Sequence, residues 1–176
     1  MALPQKVTAA DVKQIHANAH AFPFVGNYLQ NVQGKRDVPA AIVFAASQLQ
    51  DEQLMFYLAI GAFKRRPSRD SMLWIQKTYI GVGRRLERRA NIPNSVSAPL
   101  FERVTTAGML RRPGGYDASV FDEAERATSL LLADVNGRYN AVMKGDSRGP
   151  FSIPPSLRPT IEQELRDMQR LQLIIM

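Results

Sequence analysis

Cysteine is absent from all 176 residues of this chain. That absence excludes disulfide bonds, thiolate zinc sites and a cysteine nucleophile together, and it suits an intracellular protein. No run of 18 apolar residues occurs, as a membrane-spanning helix would need. The two richest windows, residues 40–46 and 54–63, are parted by Gln48, Gln50, Asp51, Glu52 and Gln53. The start of the chain has no basic region followed by an apolar stretch and a cleavage site, so no secretory signal is expected. The expected location is therefore the cytoplasm or a virion, neither secreted nor transmembrane. Phosphate-cradling GxxxxGK[ST] and nucleophile-elbow GxSxG motifs are both missing, and Gly81-Val82-Gly83 is only a glycine pair within a helical pattern. No strand pattern exceeds four residues and no internal repeat is present.

Negative charge is also scarce, but only in one place. From Lys64 to Arg112 the chain holds twelve basic residues and three acidic ones, a net +9. The preceding stretch balances four against four, and the following one has seven basic against nine acidic residues. One segment thus supplies the whole-chain excess of +7. Confinement of this kind points to a polyanionic partner rather than to solubility. Ten of the twelve cations are arginine, whose planar fork suits phosphate oxygens.

What remains is ordinary globular composition, 45% hydrophobic and 22% charged, enough for one buried core. The periodicity is helical throughout, so the expected fold is all-α. It is a single bundle of about six helices with extended N- and C-terminal arms. Thr8 and Asp11 make a weak capping box for a first helix to about Ala21. Pro39 to about Lys64 reads as one long helix or two broken near Gln50, and is the most apolar part of the chain. Pro67-Ser68 precedes a third helix, about Arg69 to Ala90. Met72, Ile75, Tyr79, Val82 and Leu86 form one apolar stripe on it, with Lys77, Arg84 and Arg88 opposite. A fourth helix is expected from near Ser97 to about Leu110, with Leu100, Val104 and Leu110 inward. A fifth, about Ala118 to Lys144, has a stripe of Phe121, Ala124, Thr128, Leu131, Val135, Tyr139 and Val142. Asp122, Glu123 and Glu125 occupy its first turns, where the helix dipole favours them. Residues 145–159 are rich in Gly, Ser and Pro. A sixth, amphipathic helix then spans Thr160 to Leu171, with Ile161, Leu165 and Met168 on one side. The implied division is a helical core domain, 1–144, containing the basic segment 64–112, and a Pro-rich arm, helix and apolar tail, 145–176.

Candidate functional residues follow from charge and from greasiness. Lys64, Arg65, Arg66, Arg69, Lys77, Arg84, Arg85, Arg88, Arg89, Arg111 and Arg112 are the expected phosphate contacts. Trp74 and Tyr79 share a helix with several of them and are candidates for base stacking, although Tyr79 also belongs to the apolar stripe. The competing explanations are a solvated helix face, or arginines pairing with the acidic first turns of the fifth helix. Leu171, Leu173, Ile174, Ile175 and Met176 are too apolar for a free end, so they either fold back or dock on a neighbouring copy. His16 and His20, four apart, lack the third ligand a zinc site needs. No metal, cofactor, catalytic residue, small-molecule substrate or membrane partner is expected.

The function expected is non-enzymatic. It is a self-assembling structural subunit of the nucleocapsid or coat type, which packages nucleic acid through its phosphate backbone. RNA is the leading candidate over DNA, although no residue type separates the two. The alternative is an adaptor or connector in a phage or secretion assembly, its basic face meeting acidic protein. A duplex-DNA regulator would need a short helix–turn–helix spacing that the sequence lacks.

Overall fold

A computed structural model describes residues 44–46, 49–81, 88–110, 115–143 and 155–171, and every regular element among them is helical. In chain order they are α1 (Asp51–Arg65), α2 (Arg69–Ile75), α3 (Asn94–Met109), α4 (Asp122–Met143) and α5 (Arg158–Arg170). A π-helical turn, Gln76–Ile80, extends α2, and a 3-10 turn, Ala118–Phe121, leads into α4. The expected first helix, with His16 and His20, lies outside the described residues, as does the N-terminal arm. No described helix is long and apolar enough to cross a membrane.

The expected break near Gln50 is present, and its geometry is a helix terminus. The Gln50 N–H donates to the Ala45 carbonyl at 2.9 Å and the Leu49 N–H to that of Ala46 at 3.1 Å. This is the paired bonding of a Schellman stop, whose left-handed position usually holds glycine. Here Leu49 takes it, at φ 56°. Helix α1 then starts without a side-chain cap. It buries Met55, Phe56, Ala59, Ile60 and Phe63 as one apolar face, each large side chain contributing about 1.5–3 kcal/mol on burial.

Ser68 caps α2, its hydroxyl accepting from the Ser71 N–H at 3.2 Å. Met72, Ile75 and Tyr79 are buried as the stripe predicts. The third helix is nevertheless shorter than expected. It widens into the π turn, closed by the Gly81 N–H on the Gln76 carbonyl at 2.7 Å, and Gly81 itself is extended (φ −66°, ψ 152°). The glycine thus ends the helix instead of being tolerated inside it. A wider turn also leaves the Gln76 side chain free to cross to α3. Its amide donates to the Phe101 carbonyl and to the Thr105 hydroxyl, both at 2.8 Å. The chain returns at Ala90, whose N–H donates to the Tyr79 carbonyl at 2.9 Å.

Helix α3 begins three residues before the expected Ser97, because Pro93 (φ −55°) accepts from Val96 and Ser97 and acts as its cap. Leu100 and Val104 point inward, whereas Leu110 is 47% exposed, contrary to expectation. From Phe121 of the 3-10 turn into α4, Phe121, Ala124, Thr128 and Val135 are buried, but Leu132 and not Leu131 fills the fourth inward position. A step of four after Thr128 serves as well as a step of three, and the sequence does not distinguish them. Phe121 meets Phe63 edge to face at 5.1 Å, joining α4 to α1. Ile161, Leu165 and Met168 of α5 enter the same core.

Candidate nucleic-acid interface and a buried ion cluster

The expected cations separate into three groups when placed on this frame. Arg65 and Arg66 at the end of α1, and Arg69 at the start of α2, are exposed around one corner. The side chains of Arg65 and Arg66 make no hydrogen bond or ion pair among the described residues. Arg69 donates through Nε to the Gly108 carbonyl at 2.6 Å, at the end of α3, and meets no carboxylate there. Gly108 also leaves room for Leu73 of α2, whose Cδ2 would lie 2.7 Å from a Cβ placed on it. Lys77 is exposed on the π turn.

A second group is engaged with its own molecule. Lys64 is half-buried and bridges to Asp122 and Glu125 at the start of α4. The hydrogen bonds it donates to Asp122 and then to Glu125 raise its pKa above the ordinary lysine value. The pairing expected of arginines with the acidic start of that helix is made at Arg103, whose Nη2 lies 3.6 Å from Glu123 Oε2, and Lys64 pairs there as well. Arg89 is half-buried, its Nη2 donating to Asn94 Oδ1 at 3.2 Å and to Ser97 Oγ at 3.4 Å.

Arg88 is the clear correction. It was expected to face outward, and it is 1% exposed. Its Nε and Nη2 donate to the two carboxylate oxygens of Glu164, each at 2.7 Å, and Nη1 donates to Asp51. The Tyr79 hydroxyl donates to Glu164 at 3.0 Å. The reason is topological: with the helix ended at Gly81, Arg88 no longer shares the rod whose wheel put it opposite the stripe. Burial lowers the pKa of this guanidinium, but Glu164 and then Asp51 outweigh it and hold it above its ordinary value. Desolvation raises the pKa of Glu164, and the charge of Asp51 adds to that rise. One cation against two carboxylates leaves the cluster a net negative charge when all three are ionised.

The aromatic candidates are also committed to the interior. Tyr79 is fully buried. Trp74 lies edge-on to it at 5.8 Å and donates its indole N–H to Asp167 at 3.4 Å. Neither is free to stack a base. Leu171 packs against the core, its N–H donating to the Asp167 carbonyl at 2.9 Å, so this first residue of the tail is held within its own chain. Arg84, Arg85, Arg111, Arg112, Leu173, Ile174, Ile175 and Met176 lie outside the described residues.

The chain matches no family model, no curated protein and no solved structure.

Asp51, Glu164 and the Tyr79 hydroxyl are the partners that reasoning on charge alone missed. A signal for one of them was present. Glu164 lies three residues after Ile161 and four before Met168, within the apolar stripe of α5. A carboxylate at such a position must find a buried cation or donor. Chemically the cluster binds one helix to the rest of the core. It offers no open position for a substrate.

Proposed function

We propose that this chain is a non-enzymatic, self-associating subunit that holds nucleic acid by its phosphate backbone, in the manner of a packaging or coat protein. The observation that supports this reading is the corner of Arg65, Arg66 and Arg69, exposed and without a carboxylate partner among the described residues. Exposed cations that meet no carboxylate among the described residues are available to a polyanion. Self-association draws support from Leu130 and Leu131, adjacent on α4, which are 73% and 39% exposed. Weak contacts repeated over many copies give affinity through cooperation along a strand, with no base-specific readout needed.

The test is reversal of the corner charges in the double variant Arg65→Glu/Arg66→Glu. Binding of a fluorescent oligonucleotide to the wild type should weaken with salt, with a log–log slope near −0.7 per phosphate contacted on a single strand. In the variant both the affinity and the slope should fall, while far-UV helicity stays the same. Wild-type protein that assembles into large particles and ignores oligonucleotides at low salt would instead favour the connector reading.

A further inference from the structure

We infer that the bases of a single strand sit on the C-terminal edge of α3, over Met109, Leu110 and Tyr116, while its phosphates take the adjoining arginine corner. This rests on the packaging reading above and names the form of nucleic acid it holds. Met109 is 77% exposed and Leu110 47%, two large apolar side chains in succession at a helix end. Tyr116 is held beside them. Its hydroxyl donates to the Leu110 carbonyl at 3.1 Å, and its half-buried ring packs against the core. Arg69 is tied to the same helix end through its bond to the Gly108 carbonyl. Arg66 lies three residues from Arg69, so their Cα atoms are at most about 11 Å apart. With Asp70 counted, the corner of Arg65, Arg66 and Arg69 still carries a net +2.

Two physical arguments assign bases to the edge and phosphates to the corner. A helix C-terminus carries partial negative charge, which repels phosphate. Apolar side chains at that end gain nothing from a duplex, whose bases are stacked away inside, but can cover the unstacked bases of a single strand. The arginines beside them supply the charge complement that keeps a strand there. The two aromatics first considered, Trp74 and Tyr79, are occupied inside, and Tyr116 provides the ring at the surface.

The experiment compares wild-type protein on two probes of equal charge and length, an oligothymidylate of about 20 nucleotides and the same backbone with abasic sites, at about 50 mM salt. The thymidine strand should bind about tenfold more tightly, the scale of one or two stacked bases. Met109→Ser/Leu110→Ser should bring the two affinities together by weakening only the thymidine strand, with the circular dichroism spectrum unchanged. Tyr116→Ala should act in the same direction, as a second variant independent of the first. Equal affinities in the wild type overturn the inference and leave the packaging reading standing. So does a base preference that survives both variants. Binding of neither probe by the wild type defeats the packaging reading itself.

Discussion

Replacing Arg88 by methionine removes the cation of the buried cluster while keeping an unbranched side chain in its place. Asp51 and Glu164, each 1% exposed, would then face each other with no positive charge between them. Breaking a buried pair by deleting one partner costs about 3–5 kcal/mol, chiefly the penalty of the charge left behind. At about 2–4 °C per kcal/mol for a chain of this length, the melting temperature should fall by about 6–20 °C. Thermal unfolding followed by far-UV circular dichroism at neutral pH measures it directly. The deficit should shrink in acid, where the two carboxyls can protonate. It should also shrink when Asp51→Asn and Glu164→Gln are added to Arg88→Met. Arg88→Lys should lie between, since an ammonium cannot make the forked bond to both Glu164 oxygens. A melting temperature for Arg88→Met within about 2 °C of wild type, a shift below 1 kcal/mol on the same scale, would refute the burial argument and return Arg88 to the surface.

Two further outcomes follow from groups already described. The Glu164 pKa is raised in the folded protein, so the native state binds more protons than the unfolded chain. The contribution of this group is therefore full below the ordinary value of 4.5 and is lost as pH rises through the raised folded value. Glu164→Gln should flatten that downward slope of melting temperature against pH above 4.5, and an unchanged slope would assign it elsewhere. Leu49 occupies a left-handed position at 64% exposure, so Leu49→Gly relieves backbone strain at little loss of packing. The gain should be about 1 kcal/mol, read as a higher urea midpoint at constant m-value.

The parts of the fold that were legible in the sequence were those governed by local periodicity. Ile161, Leu165 and Met168 kept their spacing and their face within one helix, and Met72, Ile75 and Tyr79 kept theirs through α2 and the π turn that continues it. The break before Asp51 was legible as a cluster of polar residues, although its left-handed leucine was not. Reading failed where a long-range contact changed the frame. A wheel drawn through Gly81 put Arg88 on the solvent side, and nothing within that window indicated that Asp51 and Glu164 would converge on it. Lys64 pairs across 61 residues of sequence for the same reason. In the candidate interface, charge density identified the corner of Arg65, Arg66 and Arg69. The edge formed by Met109, Leu110 and Tyr116 emerged only once α3 was seen to end against Arg69.

The ion cluster also constrains the order of events on the ribosome. Asp51 and Arg88 leave the exit tunnel early, but the second carboxylate of the guanidinium fork is translated 76 residues after Arg88. Until then the nascent helices hold a half-matched arginine at the place where their core must close. A growing chain can therefore collapse but cannot lock, and completion waits for the α5 segment to arrive. Closure of the core should accordingly follow the emergence of residue 164, not that of helix α1.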